Sequence, residues 1–404
     1  MLSGSRFGSS RQEGLFMGAK IPRSKEDDYT AEAAAQRRAF AAGQTGAALD
    51  TVGTYAIDPA QCRGNIEHFI GCAQVPIGLA GPLRVNGEHA QGEFYVPLAT
   101  TEGTLVASYN RGMKLLTESG GATVTISEDI MQRSPGFIFE SAREAKAFRA
   151  WVVERFDDIK AVADATTTVG RLRDIDPYTA SKFLYLRFNY TTGDAAGQNM
   201  VTKATHAACE WIRANYPGIK HHYLESNFST DKKASSINTL RTRGKRVTAE
   251  ASVPRDLLAQ LMRVTPEQLR HQRSVSTTGA YMAGANNNGS HSANALAAIF
   301  IATGQDLGNI AESSAGISFV EVLDDGSLYY SVTIPSLIVA TYGGGTGLST
   351  QQECLKLLGC TGRGSVHKFA EIVAAAALAG DISLSCAVAA EEWAESHEKY
   401  GRNR

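Results

Sequence analysis

The stretch 183-FLYLRFNYTTGDAAGQNMVTKATHAACEWIRANYPG-218 decides the fold class, because its pattern changes partway along. Residues 183–190 read as a strand. TTGDAAGQNM is a glycine-bearing turn. Beyond it Val201, Ala204, Ala208, Trp211 and Ile212 recur at the spacing of one helix face, and Tyr216-Pro217-Gly218 stops that helix. Upstream, a strand over Gly136 to Phe139 runs into a helix opened by Ser141 and Glu144, which form the two ends of a capping box. Residues 135–222 therefore read as a compact α+β unit.

The flanking sequence keeps to the same mixture. PLRVNGEHAQGEFYVPL, from Pro82, carries Asn86-Gly87, a type I′ hairpin signal, between β-rich arms. A helix is expected from about Gly103 to Leu116, with Leu105, Tyr109, Met113 and Leu116 on its apolar side and Thr104, Ser108 and Arg111 on another. LYYSVTIP (328–335) reads as a strand and SANALAAIFIA as a buried helix, apolar nearly all round. A C-terminal helical pair is expected. Its first member carries Phe369, Ile372, Val373 and Ala376 and ends at Gly380; the second starts near Asp381 and puts Ala390, Trp393, Ala394 and His397 on one face. Residues 1–27 form a loose tail, and Asp28 or Thr30 caps a short helix ending at Gly43. The expectation is a mixed α/β chain of the α+β type with an inserted domain.

At 404 residues the chain is too long for one ordinary core. Forty basic against 41 acidic side chains leave a net charge of -1, so no global field holds nucleic acid or an anionic membrane. The six cysteines are scattered without a CxxC, which excludes a zinc ribbon or a dense disulfide framework. The N-terminus lacks the apolar region of a secretory signal, and no stretch approaches the roughly 18 to 20 apolar residues that span a bilayer. A soluble, cytoplasmic enzyme is expected, with no membrane and no nucleic-acid partner.

Four polar residues interrupt contexts that packing would fill otherwise. Glu102 lies between a strand and a helix start. It reads as a carboxylate satisfying first-turn N–H groups, or as a buried proton donor. Lys232, beside Asp231 and Lys233, reads as part of a solvated loop or as a fixed cation for an oxyanion. Asp306, after the most apolar helix, reads as a cap or as a buried carboxylate paired with a lysine. His397 reads as a satisfied core histidine or as a proton donor to a leaving group such as a thiolate. GGGTGL (343–348) exposes backbone N–H groups to a phosphate or ligand but matches no nucleotide-binding pattern. No cluster has metal-ligand spacing, so no metal is expected.

Taken together, seven co-linear segments resemble the 3-hydroxy-3-methylglutaryl-CoA (HMG-CoA) reductase family, class I, without a membrane anchor. They are IGCAQVPIGLAGPL (70–83), VPLATTEGTLVASYNRG (96–112), GDAAGQNMVTKAT (193–205), TDKKASSIN (230–238) with RGKRVTAE (243–250), ATGQDLGNI (302–310), YGGGTGLSTQQECL (342–355) and SHEKYGRNR (396–404). The resemblance implies a large substrate and dimerisation domain over 61–134 and 223–404. A small ferredoxin-like cofactor domain is inserted at 135–222, and 1–60 is a short helical N-terminal region. It implies two hydride transfers from NADPH, favoured over NADH, that carry a CoA thioester through a thiohemiacetal and an aldehyde to mevalonate.

By that resemblance Lys232 stabilises each oxyanion, Asp306 tunes the lysine, Glu102 supplies a proton in the aldehyde step, and His397 protonates the departing CoA thiolate. The cofactor meets Asp194, Gln198, Asn199 and Met200 together with Gly344, Gly345 and Thr346. CoA meets Ser108, Asn110 and Arg111; the acyl group meets Arg133, Lys233 and Asn294. A homodimer or homotetramer with its site between subunits is implied.

The sequence departs from the family pattern at three places. Glu225 stands where a serine is usual, and it repels a substrate carboxylate unless it turns away or pairs with a cation such as Arg133. The acyl-binding lysine expected near residue 275 is missing, with Arg273 the nearest cation. Thr167-Thr168 replaces the Ser-Arg that grips an NADP 2′-phosphate, leaving Arg171 and Arg173 as candidates. Two other readings stand beside the first: a reductase of a different acyl-CoA, and a non-catalytic CoA- or nucleotide-binding paralogue.

Overall fold

The computed structural model describes residues 19–391, which form two compact units divided between Gln74 and Val75. In the first, helix α1 (Ala31–Thr45) starts where Thr30 Oγ1 accepts Ala33 N, and Gly46 ends it at φ 73°, three residues beyond the expected stop. Asp28, the other candidate cap, instead pairs with Arg37 at 2.6 Å. That arginine is buried and also donates to the carbonyls of Pro22, Asp28 and Phe69, which lets a small core of Ala34, Cys62 and Phe69 close round it.

The second unit is a ten-stranded sheet covered by helices. Its strands are β1 (Ile77–Gly87), β2 (Gln91–Ala99), β3 (Ala122–Arg133), β4 (Gly136–Ile138), β5 (Arg171–Ala180), β6 (Phe183–Thr191), β7 (His221–Tyr223), β8 (Gly244–Val253), β9 (Ile317–Val322) and β10 (Leu328–Leu337). Their order is β7-β4-β6-β3-β8-β10-β9, with β1 beside β3, β2 beside β1 and β5 beside β6. Every pairing is antiparallel except that of β1 with β3. Strand β3 joins the two halves: Thr123 to Ile130 pair with β8, and Met131 to Arg133 pair with β6.

Between the strands run α2 (Leu105–Glu118), α3 (Ala142–Glu154), α4 (Phe156–Asp164), α5 (Gln198–Asn215) and α6 (Ser236–Arg241). Then come α7 (Arg255–Met262), α8 (Pro266–Met282), α9 (Ser292–Thr303), α10 (Ile310–Ser313), α11 (Ser349–Leu357) and α12 (Ser365–Ala389). Two apolar cores result. One packs α2, α9 and α12 on β1, β2, β8 and β10 through Leu83, Val96, Tyr109, Val247, Phe300, Val332 and Phe369. The other packs α3, α4 and α5 on β4 and β6 through Phe137, Phe148, Leu186, Val201 and Ile212.

The apolar faces expected on α2 and α5 are the buried ones. Leu105, Tyr109, Met113 and Leu116 are inside, as are Val201, Ala204, Ala208 and Ile212. Two local expectations need correction. The hairpin does not turn at Asn86-Gly87: Asn86 pairs with Gln91, and Gly87 N bonds Ala90 O, so Glu88-His89 are the turn. The cause is remote. Glu371 on α12 accepts the N–H groups of Glu88, His89 and Ala90, which fixes the turn two residues later than its local chemistry suggests.

The helical pair broken at Gly380 is likewise one helix as far as Ala389. Gly380 faces the ring of Tyr109 and Gly112 faces the backbone of Ala379, so these glycines serve a close crossing of α2 and α12. Asp381 is tolerated inside because Ser290 N, His291 N, Ser318 Oγ and Tyr330 OH all donate to it. Running through Glu371 and Asp381, α12 is long and apolar enough to cross a membrane, contrary to the reading from apolar run length. Yet 83% of its most apolar window is buried inside the protein, as in a core helix.

Candidate functional site

Three loops distant in sequence meet at the junction of the two halves of the sheet. The first is the segment before α6. Asn227, Thr230 and Lys232 all have positive φ (67°, 52° and 57°), a cluster of backbone strain that surrounding contacts must hold in place. Those contacts are Glu312, whose Oε1 accepts Lys232 N at 3.0 Å, and Asn238, whose amide donates to the carbonyls of Thr230 and Lys233.

The second loop follows α9. Asp306 Oδ1 accepts Gly308 N at 3.0 Å, and Asp306 Oδ2 lies 2.9 Å from Lys232 Nζ, so the cap and the lysine partner are one carboxylate. Both side chains are partly open to solvent (47% and 40%), which makes Asp306 a paired carboxylate but not a buried one. The lysine stem passes over Gly308, where a Cβ would stand 2.6 Å from Lys232 Cδ. The hydrogen bond that the ammonium donates to Asp306, outweighing partial burial, holds Lys232 above its ordinary value of about 10.5.

The third loop is the turn before α5. Gln198 Nε2 donates to Asn309 Oδ1 at 2.9 Å and reaches Asp231 Oδ1 at 3.4 Å, which ties the start of α5 to both other loops. Arg133 closes the triangle, with Nη1 2.7 Å from Glu225 and 3.6 Å from Asp231, and Nη2 bonding Gln198 O. Beneath them lies Arg243, fully buried, donating to Asp231 and Glu312. Burial raises the Glu312 carboxyl, against the pull of Arg243 and Lys232 N. The GGGTG turn borders this group because Gly304 and Gly345 pack backbone to backbone; Gly344 and Gly345 lie at its surface and Thr346 is buried.

The other expected residues divide. Asn199 is exposed, and Met200 packs on the loop 167–170 with its sulfur near Thr167 Oγ1. Asp194 accepts Gly364 N and Val366 N, so its carboxylate anchors the start of α12. Lys233 is exposed and bonds Asp231 O. Arg273 is buried and committed to Ser290 and Asn288 O, which removes it as a stand-in for the missing lysine, and Val275 is exposed beside it. Arg173 pairs with Asp174 and Glu128, whereas Arg171, among the described residues, donates to carbonyls of its own loop.

Glu102 forms a second group. Its carboxylate meets Asn294 Nδ2 at 3.4 Å and is exposed, which corrects both the helix-cap reading and the buried-donor reading within a single chain. Near it, Tyr109 OH donates to His291 O and their rings stack at 4.8 Å. Burial lowers the His291 imidazole, which favours its neutral form. No hydrogen bond or ion pair among the described residues joins Glu102 to Lys232 or Asp306. Ser108 and Arg111 bond Ser383 on α12, and Asn110 accepts Gly81 N. His397 lies outside the described residues.

Sequence reasoning did not single out Arg243, Glu312 or His291. Arg243 sits in RGKRVTAE, which stands only as one of the segments that carry the resemblance. The others have partners more than sixty residues away, and only the fold reveals them. Spacing pointed to no metal site. In space Glu88, His89 and Glu371 bring ligand atoms within 4.8 Å of one another. Glu371, however, is already taken by the three turn amides.

The N-terminus of α5 has no side-chain cap hydrogen bond among the described residues, which leaves its first-turn N–H groups able to donate to an anion such as a phosphate. Its neighbour Arg171 has no carboxylate partner among the described residues. A fixed ammonium with a paired acid beside such a helix start can hold an oxyanion next to a bound nucleotide.

Residues 33–402 match the family model described as hydroxymethylglutaryl-coenzyme A reductase. Among curated proteins, the 3-hydroxy-3-methylglutaryl-coenzyme A reductase of Pyrococcus abyssi is 44% identical over 91% of this chain and 92% of its own length. That of Methanothermobacter thermautotrophicus is 45% identical over 92% and 94%. Among solved structures, a class II reductase of this name from Streptococcus pneumoniae bound to NADPH superposes with a TM-score of 0.66 at 20% identity, covering 81% of this chain and 79% of that one. At that identity the likeness is one of fold.

Proposed function

The chain belongs to the hydroxymethylglutaryl-coenzyme A reductase family, and from that premise we propose how its residues divide the reduction of HMG-CoA to mevalonate and CoA. It is an oxidoreductase of the mevalonate pathway. The thioester would take up four electrons as two hydrides, one from each of two NADPH molecules bound in succession, and two protons enter from the enzyme and solvent. The first reduction leaves a thiohemiacetal, which collapses to an aldehyde and the CoA thiolate; the second leaves the alcohol.

The observation that carries the residue roles is the Lys232–Asp306 pair at 2.9 Å, two bonds away from Gln198 at the head of α5. Lys232 keeps its proton and holds the oxyanion that forms at each reduction. Asp306 orients the ammonium. Glu102, with Asn294, delivers the proton in the aldehyde step, and His397 protonates the departing thiolate, a role that rests on the sequence resemblance. Arg133 and Lys233 are the cations beside Lys232 that suit the free carboxylate of the acyl group. Ser108, Asn110 and Arg111 line the edge of α2 that suits CoA. The cofactor is held by the turn from Asp194 to Met200 and by Gly344, Gly345 and Thr346. Arg171 is the cation for a 2′-phosphate, which favours NADPH over NADH.

The residues 135–222 act as the cofactor unit. Support comes from the second apolar core and from the succession β4, α3–α4, β5, β6, α5, β7 with order β7-β4-β6-β5, the pattern of a ferredoxin-like domain. The rest, 61–134 and 223–404, binds the thioester, with 1–60 as a short helical N-terminal region. A homodimer is the smallest assembly that suits the site, since no hydrogen bond or ion pair among the described residues joins Glu102 to Lys232 within one chain and a second subunit can bring the two groups together.

The test is a stoichiometry. Purified chain is given HMG-CoA and NADPH, with oxidised cofactor and free CoA thiol both measured. Two cofactors per thiol support the reading; one per thiol indicates a reductase that stops at the aldehyde, and no cofactor consumption contradicts it.

A further inference from the structure

Arg133 is the cation best placed to receive the free carboxylate of the acyl group, yet it already holds one. Glu225 Oε2 lies 2.7 Å from Arg133 Nη1. The acid is itself fixed: Asn227 N donates to Oε1 at 2.7 Å and Ser229 Oγ lies 3.1 Å from both oxygens. The backbone under it is also fixed, because Ser226 donates through N and Oγ to Ser134 O, one residue beyond Arg133. The loop thus carries a carboxylate on a rigid mount to the guanidinium that borders Lys232 through Asp231.

Charge makes the consequence specific. Asp231 already stands 3.6 Å from the same nitrogen, so a substrate carboxylate would be a third acid on Arg133 while Glu225 stays, and it can form a close pair there only against that repulsion. Neither Arg273, buried on Ser290 and Asn288, nor Val275 beside it adds a second strong cation from α8. Lys233 remains, exposed and, among the described residues, bonded to the Asp231 carbonyl. We propose that Glu225 is a built-in competitor for the substrate's free carboxylate: it occupies Arg133 in the free enzyme, and HMG-CoA must displace it to bind. Glu225 is therefore a specificity-determining residue, acting through Arg133 on substrate affinity rather than on hydride transfer. The inference rests on the HMG-CoA reading above.

Glu225→Gln keeps the side chain's length and an oxygen for Asn227 N while removing its charge; Glu225→Ser removes the carboxyl altogether. Both should lower KM for HMG-CoA, roughly threefold to tenfold for a half-exposed ion pair, with kcat moving by less. Binding of 3-hydroxy-3-methylglutarate, the free diacid, should tighten by a similar factor. Inhibition by 3-hydroxy-3-methylbutyryl-CoA, which lacks the terminal carboxylate, should not follow. An unchanged or raised KM in both variants overturns the proposal. So does an equal shift for the carboxylate-free thioester, since that reports a loop rearrangement and not competition for a charge. A wild-type enzyme that consumes no NADPH with HMG-CoA overturns the underlying reading, and the inference with it. That outcome is separate from an active enzyme indifferent to residue 225.

Discussion

Asp306 divides its carboxylate between two tasks: Oδ1 caps Gly308 N at 3.0 Å, and Oδ2 holds Lys232 Nζ at 2.9 Å. The cap fixes the acid, and the fixed acid fixes the ammonium. This lets a long, flexible, half-exposed lysine act as a positioned cation. An exposed ion pair of this kind contributes at most about 1 kcal/mol to stability, so its value lies in geometry.

Asp306→Asn should separate charge from position, because the amide retains an acceptor for Gly308 N. Lys232 is held above its ordinary value chiefly by its hydrogen bond to Asp306, so the variant's ammonium loses its proton at lower pH. The alkaline limb of kcat should therefore move to lower pH, with the solvent exposure of the pair limiting the shift. For stability the sign follows from the same shift. The pair's contribution is complete below the unfolded lysine's value and is lost as pH rises through the raised folded one. Wild type should shed a small increment of stability there that the variant never had. A kcat profile coincident with wild type would remove Asp306 from the control of Lys232.

Gly308→Ala places a Cβ 2.6 Å from Lys232 Cδ. The lysine stem can move aside, so stability should change by less than about 1 kcal/mol. The ammonium moves with it, and kcat should fall by roughly tenfold to a hundredfold, since positioned electrostatic groups lose effect over small displacements. Full activity in a variant with an unchanged melting temperature would mean that the lysine needs no such groove.

Gly112→Ala tests the crossing of α2 and α12. Its Cβ would collide with the backbone of Ala379, which cannot swing away as a side-chain tip can. A loss of about 3 kcal/mol is expected, seen as a fall in melting temperature of about 3–5 °C for a chain of this length. A melting temperature unchanged within error would contradict the close approach of α2 and α12.

Much of the framework was legible because periodicity is a strong signal over long elements. Helix α2 buries the four residues its spacing selects, and α5 buries four of its five, with Trp211 only partly covered. Legibility failed where a distant residue decides. The hairpin turn obeys Glu371, from another part of the chain, and Gly380 breaks nothing because it serves Tyr109. Strand β5, RLRDIDPYTA, carries a proline and four charges and pairs only with β6, so edge exposure erases the alternation that would have revealed it.

The site divides the same way. Lys232 and Asp306 stand out in sequence because charged residues sit in unlikely company, and they meet in space. Glu102 stands out equally, but its exposure in one chain was not legible, since burial depends on what packs against the loop. Arg243 carries no signal beyond its place in RGKRVTAE, yet it is fully buried between Asp231 and Glu312 and braces the strained loop. The choice left open for Glu225, turned away or paired with Arg133, is decided by a 2.7 Å contact.

The central claim is that one ammonium serves both reductions, and the most direct measurement follows the two half-reactions in Lys232→Ala. HMG-CoA and mevaldehyde are supplied separately with NADPH, and single-turnover rates are compared with wild type. The account predicts that both rates fall by roughly a hundredfold to a thousandfold while the fold and cofactor binding persist. A variant that reduces mevaldehyde at close to the wild-type rate would contradict it, because the second oxyanion would then be held by some other group.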